Sequence, residues 1–254
     1  MSIRDNIKVN LFGVQYSVTD YAKATARIIE NAVNNHSYGV SALAVHGLME
    51  CYYSKELKEK VNKIDMVVPD GQPVRWAMNY FFKSNLKDRV YGPTLTWEVL
   101  KKANELSLRI FLYGSDENTL NLLAKNILQH FPNIIIAGLH IDRFREATLI
   151  EDKADIVKIN KSGAQIVLVG RGCPRQEIWV SNHLGSVNAV MMAVGAAFNF
   201  HAGNIKQAPL WMQNAGLEWF FRLTKEPKRL WKRYLITNST FIYLFALKVL
   251  KLKN

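Results

Sequence analysis

The chain has 254 residues and a formal net charge of +12, from 33 Lys and Arg against 21 Asp and Glu. One large domain, or one domain with an appendage, is expected at this length, and a hydrophobic content of 49% excludes wholesale disorder. Two cysteines, Cys51 and Cys173, exclude a disulfide scaffold and point to a reducing compartment, and the opening MSIRDNIKVN shows no apolar run of the signal-peptide kind.

In chain order, NIKVNLFGVQYSV reads as a strand or hairpin, and Asp20–Asn34 as a helix with Asp20 as its N-cap. Residues 38–45 read as a strand, 48–62 as one charged amphipathic helix, and 65–69 as a short strand. Helical patterns follow near 72–82 and 94–106. The rhythm then sharpens: strands at 109–113, 133–137, 165–169 and 189–194 alternate with helices near 116–130, 147–161 and 174–184. Short apolar runs closed by glycine and separated by helices imply parallel βαβ units. The expected fold is α/β, with a Rossmann-like, mostly parallel sheet, helices on both faces, and a basic helical C-terminal appendage. The division expected is residues 1–205 for the α/β domain and 206–254 for the appendage.

In open α/β sheets ligands gather beyond the carboxyl ends of the strands. This makes His46-Gly47, Asp70-Gly71, Gly114-Ser115-Asp116, Gly170-Arg171-Gly172 and the stretch from Gly195 to Asn204 the candidates. By spacing alone Asp70-Gly71 reads first as a turn, and its position at a strand end adds the reading of a carboxylate at the sheet mouth, poised as a general base. Gly170 to Glu177 has glycines for close backbone approach and opens a helix, which favours phosphate. It is neither GxGxxG, since Arg175 stands in the third glycine's place, nor a P-loop. Cys173 reads either as a nucleophile or as a buried thiol. His46 and His201 show no metal-ligand spacing with other residues, and as lone histidines they read first as core or surface hydrogen-bonding residues. No Asp-x-Asp element occurs, so a diphosphate would have to be met by arginines, helix N-termini and backbone amides.

The charge is uneven. From Arg222 to Asn254 nine basic residues face one acid, Glu226, a net of +8, and the other 221 residues carry only +4. Pro227 suits the first turn of a helix. Steps of about 100° place Leu230, Trp231, Tyr234 and Leu235 on one face and Lys228, Arg229, Lys232 and Arg233 on the other. That is the pattern of a helix lying in a membrane interface, or of a surface helix with its apolar face on the body. The uncharged stretch 234–247 is too short and polar to span a bilayer.

Five segments carry a resemblance: VVPDGQPVRW (67–76), RVYGPTLTWEVL (89–100), FLYGSDENTLNLLAKNI (111–127), VGRGCPRQEIW (169–179) and, above all, 194–234 with its GLEW-x-x-RL-x-x-EP-x-R element. In order and content the chain resembles the WecG/TagA/CpsF family of bacterial glycosyltransferases, glycosyltransferase family 26. The resemblance implies inverting, metal-independent transfer of a sugar from a UDP-sugar to an undecaprenyl-diphosphate saccharide, in surface polysaccharide synthesis at the cytoplasmic face of the inner membrane. It implies no cofactor, an anionic membrane surface as partner, and no nucleic acid; a homo-oligomer is left open. Asp70 matches the family's proposed general base. Arg89 and Gln176 match residues implied to line the UDP-sugar pocket, with His46, Gly114, Gly170, Gly172 and Glu177 as further donor-site positions. Arg222, Arg229 and Arg233 match arginines of a membrane-binding C-terminal appendage. Many members carry a Thr-x-Asn element where this chain reads Ala44-Val45-His46-Gly47. The donor therefore stays open among N-acetylmannosamine, its uronic acid and a simple hexose such as glucose. Two other classes compete: a nucleic-acid module using the basic aromatic tail, and a nicotinamide dehydrogenase, against which the missing GxGxxG counts.

Overall fold

The computed structural model describes residues 7–253. The expectations for residues 1–6, as the start of the first strand and of the chain, and for Asn254 lie outside them. Strands β1 (Lys8–Leu11) and β2 (Val14–Ser17) form a hairpin. Its two-residue turn holds Phe12 and Gly13 at φ of 51° and 96°, the left-handed pair that matches strand twist. The chain continues through α1 (Tyr21–Val33), β3 (Tyr38–Leu43), α2 (Val45–Tyr53), α3 (Lys55–Lys63), β4 (Met66–Pro69), α4 (Gln72–Phe82) and α5 (Gly92–Glu105). Then come β5 (Arg109–Gly114), α6 (Glu117–His130), β6 (Ile135–His140), α7 (Leu149–Lys161), β7 (Ile166–Gly170), α8 (Arg175–His183) and β8 (Val190–Ala193). Four helices close the chain: α9 (Ala197–His201), α10 (Leu210–Asn214), α11 (Glu218–Lys225) and α12 (Pro227–Lys253).

The six strands after the hairpin form one parallel sheet in the order β4-β3-β8-β7-β5-β6. Alternation along the strands divides the core. Ile110, Leu112, Ile166, Leu168, Val190 and Met192 face a layer built from α1, α5 and α6. Phe111, Tyr113, Val167, Val169, Met191 and Ala193 face the opposite layer, with α3, α4, α8 and the hairpin. Both faces are covered, which is why the strands read as continuous apolar runs. This is the Rossmann-like α/β architecture expected from the sequence.

Helix starts follow side-chain chemistry. Asp20 accepts from the Lys23 amide at 2.8 Å and Asp116 from that of Thr119 at 2.9 Å, while Thr148 and Glu151 form a capping box; each such cap is worth about 1 kcal/mol. Two boundaries differ from the sequence reading. The helix expected over 48–62 is two helices, because Ser54 takes an extended backbone and its Oγ caps α3 through the Leu57 amide. The strand expected at 133–137 lies at Ile135–His140, since Phe131 to Ile134 form the turn that leaves α6.

Helix α12 runs along the body on the stripe Leu230, Thr237, Phe241 and Phe245. Phe241 meets the Phe12 ring at 5.9 Å, and Phe245 meets Phe81 at 4.8 Å. The faces expected for this helix are redistributed. Leu230 is buried, but Trp231 and Leu235 are 55% and 62% exposed, and Arg229 and Arg233 line the cavity described below. The seam centres on Leu230 and takes positions three, four, seven and eleven residues on, which places Arg233 inward and turns Trp231 out. Residues Pro227–Leu252 are long and apolar enough to cross a membrane by length and composition, while the inner stripe packs on the protein itself.

Candidate active site

A cavity of about 520 Å³ opens at the carboxyl ends of β3, β4, β5, β7 and β8 and is roofed by α11 and α12. Asp70 follows β4 on its wall. Its amide donates to Leu43 at the end of β3, and Gly71, at φ 128°, turns the chain into α4. Burial pushes the Asp70 carboxyl up to about 7; Arg89 opposes the rise, Glu218 adds to it, and the Gly92 amide and Arg222 lower it. Gly92 sits so close that a Cβ there would meet Asp70 Oδ2 at 3.5 Å. A carboxyl that titrates near neutrality at a strand end has the acid–base character of a general base.

Arg89 is only 7% exposed. Its Nη2 donates to Glu218 Oε2 at 2.7 Å and to Gln213 Oε1 at 3.1 Å, and its guanidinium lies 4.2 Å from the Tyr91 ring centre. Burial works against this charge, but Glu218 and Asp70 outweigh it and raise the Arg89 pKa. The guanidinium is therefore on the wall but already engaged with α10 and α11.

The turn after β7 forms a second wall. Gln176 Oε1 accepts from the Gly172 amide at 3.2 Å, and its Nε2 donates to Glu177 Oε1 at 2.9 Å. Ser41 on β3 also donates to Glu177 Oε1, at 3.2 Å. Gln176 thus braces the glycine turn from beneath. Glu177 is almost wholly buried, and burial raises its pKa. Burial likewise pushes the Cys173 thiol well up, which makes it a poor nucleophile. Gly170 lies against the Phe198 ring, where a Cβ would come within 2.5 Å. Gly114 stands one residue short of the wall, which Ser115 reaches; a Cβ on Gly114 would run into the Gly170 backbone at 2.8 Å. Its smallness serves the close approach of β5 and β7.

His46 lies in the first turn of α2. Neither ring nitrogen has a hydrogen-bond partner, and burial first, then the nearby Arg233 charge, brings its pKa down to about 4. It faces the cavity as a neutral imidazole. Arg222, Arg229 and Arg233 reach the same cavity from the C-terminal helices. Arg222 Nε is buried without a partner, and Arg229 also pairs with Glu226. His201 lies outside this cavity: it stacks on Trp97 at 4.4 Å, with Nε2 2.9 Å from the Pro93 carbonyl. Among the described residues no group of three His, Cys, Asp or Glu is arranged to hold a metal.

The site residues that the resemblance implies meet in this one cavity, apart from Gly114, while the strand-end candidates His201 and Asn204 lie outside its lining. Glu218, Gln213 and Tyr91 were not singled out. Glu218 stands inside the GLEW element, but only the fold brings it against Arg89, 129 residues away. Asp142 was also missed. Its Oδ1 takes Arg175 at 2.9 Å and Arg171 at 3.3 Å, while its buried Oδ2 has no partner. It lies just beyond β6, the strand whose boundaries shifted.

Arginines gathered over a cleft at the strand ends of a Rossmann-like sheet suit an enzyme acting on a phosphorylated substrate. Comparison with known proteins gives that class its name. The model described as "Glycosyl transferase WecG/TagA/CpsF family" matches residues 9–254, and the chain belongs to this family of glycosyltransferases. A Bacillus subtilis (strain 168) relative is 35% identical over 189 residues, which cover 74% of this chain and 69% of the relative. A Bacillus spizizenii relative is 30% identical over 177 residues, covering 69% and 66%, and one from Staphylococcus aureus (strain MW2) is 27% identical over 252 residues, covering 97% and 94%. All three are named N-acetylglucosaminyldiphosphoundecaprenol N-acetyl-beta-D-mannosaminyltransferase. Family membership decides against the nucleic-acid and dehydrogenase readings of the sequence.

Proposed function

We propose that the protein transfers a hexose or N-acetylhexosamine from a UDP-sugar to an undecaprenyl-diphosphate-linked saccharide, with inversion and without a metal, at the cytoplasmic face of the membrane. One observation carries this reading: a carboxylate titrating near neutrality and three arginines of the C-terminal helices line the same cavity. Asp70 takes the proton of the acceptor hydroxyl as that oxygen attacks C1 of the donor sugar. The C1–O bond to the diphosphate breaks on the opposite face, and UDP leaves with the electron pair. Arg222, Arg229 and Arg233, with the amides of the Gly170–Gly172 turn, meet the growing negative charge. His46, neutral and with no hydrogen bond on either ring nitrogen though Glu50 Oε1 stands 3.6 Å from Nδ1, offers one donor and one acceptor to a substrate hydroxyl. Gln176 and Glu177 hold the glycine turn in place.

The names of the three relatives support a lipid-linked acceptor bearing N-acetylglucosamine. The outward face of α12 supports peripheral attachment: Trp231, Leu235, Ile242, Tyr243 and Leu250 are exposed there together with Lys228 and Lys232. Residues 206–254 then form an appendage that binds the membrane with one face and closes the donor site with the other.

The test is UDP release from a panel of UDP-sugars, including UDP-N-acetylmannosamine and UDP-glucose, with a lipid-diphosphate N-acetylglucosamine acceptor and excess chelator. One donor should support acceptor-dependent release, giving a product of inverted anomeric configuration. Release from none of them would overturn the donor class, and loss of release in chelator would overturn metal independence.

A further inference from the structure

Asp70 and Arg89 stand on the same wall, and each senses the other's charge. A guanidinium beside a carboxylate ordinarily pairs with it and makes it a weak base. In this protein the hydrogen bonds of Arg89 Nη2 go instead to Glu218 on α11 and Gln213 on α10, and its flat face covers Tyr91. Both partners come from the C-terminal helices. We propose that Glu218 is a positioning residue for Asp70: by holding the Arg89 guanidinium, it makes docking of α10 and α11 a condition for a base strong enough to take the acceptor proton. The proposal rests on Asp70 being that base.

The groups that face Asp70 support this assignment. They are Tyr16 on β2, Tyr21 on α1, Arg89 and Tyr91 before α5, and Glu218 and Arg222 on α11. Burial raises the pKa of all three tyrosines, so they are neutral near pH 7. The two arginines favour the Asp70 carboxylate, and of these six groups Glu218 is the one negative charge. The Gly92 amide of α5 adds a fixed partial positive charge on the side of the arginines. Without Glu218 burial alone would oppose the two cations and the amide that act on Asp70. Glu218 thus performs two linked tasks: it occupies the guanidinium, and it keeps a proton acceptor near neutrality basic.

The test is the pH–rate profile of Glu218→Gln in the full chain, assayed with UDP-sugar and lipid-linked acceptor. Glutamine keeps an acceptor for Arg89 and removes the charge. The acidic limb of kcat should move down by about one pH unit, and the plateau should fall about tenfold, as expected for a weaker base, with the donor KM changed much less. An acidic limb that stays in place in a folded, active Glu218→Gln protein would sink the proposal. Gln213→Glu provides the opposite arm, because it adds a charge beside the same guanidinium while Glu218 remains. There the acidic limb should move up; a limb that moves down or stays would also overturn the assignment. Asp70→Asn, run in parallel, separates the two claims. If it retains turnover, the reading of Asp70 as base fails; if it is inactive and the limbs of the other variants do not move, only the role of Glu218 fails.

Discussion

The α/β body and the C-terminal helices solve the burial problem in different ways. In the body, both sheet faces are covered and the large apolar side chains of β4, β5, β7 and β8 lie at or near zero exposure. Over residues 207–252 the inner stripe is packed, yet Leu210, Trp211, Phe220, Trp231, Leu235, Ile242 and Tyr243 face outward. The body is held by burial spread over two cores. The C-terminal helices are held along one seam: Leu230 and Phe241, the Phe12–Phe81–Phe245 rings, and the Arg89–Glu218 pair. An element with an apolar outer face and a single inner seam suits a part that meets a surface outside the protein. The seam also carries polar residues into the cavity, so what holds the helices in place also completes the site. The comparison therefore predicts which substitutions cut chemistry, which cut substrate binding, and which cut membrane attachment.

The largest effect belongs to the body. Asp70→Asn should lower turnover by about 10²–10⁴-fold, the usual contribution of a general base, with donor binding retained. It should also stabilise the fold. Burial holds the pKa of Asp70 in the folded protein at about 7 against an ordinary value of 3.8, so the unfolded chain loses its proton first as pH rises. Stability falls across that window, and above about pH 7 the full penalty is present, at most about 4 kcal/mol. Thermal unfolding at pH 8 should therefore show a higher Tm for Asp70→Asn, and the gain should vanish near pH 4. A variant that is inactive and also less stable at pH 8 would contradict the burial argument.

The next effect crosses between the regions. Arg222→Gln leaves the sheet untouched but removes a cation whose Nε is buried and unpartnered on the cavity wall. The loss of a charge-assisted hydrogen bond of about 1.5–3 kcal/mol should lower kcat/KM for the UDP-sugar by about 10–100-fold. An unchanged value would confine the donor site to the body and break the link between seam and cavity. Opposite behaviour is expected of Trp231→Ser with Leu235→Ser. These side chains point away from the cavity, so sedimentation with anionic vesicles should fall while turnover on a water-soluble acceptor stays close to that of the intact protein. Reduced turnover without reduced vesicle binding would reverse the assignment of the two faces of α12.

Much of the body was legible because its physics is local. The strand–glycine–helix rhythm from Arg109 to Val194 identified a parallel sheet, and strand ends then nominated Asp70, His46 and the Gly170 turn. Sequence reading failed where two distant segments decide together. The apolar positions of α12 could be listed, but the inward stripe depended on what the body offered: the aromatic cluster of Phe12, Phe81 and Phe82, to which neither period nor spacing points. Phe12 takes a left-handed backbone in a hairpin turn, an unusual place for a bulky side chain, and it is there as a platform for α12. Glu218 was hidden for a similar reason, since its partner lies far off in the chain. Ser54 was a local miss: a serine ahead of Lys55 and Glu56 is a cap signal, and the continuous charge pattern over 48–62 masked it.

The smallest effect probes the end of the seam. Lys248 Nζ lies 4.5 Å from the ring centre of Phe82, 4.8 Å from that of Phe81 and 5.7 Å from that of Phe12. Burial lowers its pKa, yet three ring faces compensate the lost hydration. A cation held in this way contributes about 0.5–2 kcal/mol, and it fixes α12 more than 20 Å, by helix rise, beyond Leu230. Lys248→Met keeps the apolar length and removes the charge. It should leave global unfolding nearly unchanged and raise amide exchange in the last turns of α12, with a smaller increase near Arg233. Turnover should fall no more than about twofold to tenfold, because the arginines of the cavity lie nearer the Leu230 end. If exchange rose equally in β5 and β7, α12 would belong to the cooperative core of the body, and the two regions would fold as one unit rather than meeting along a seam.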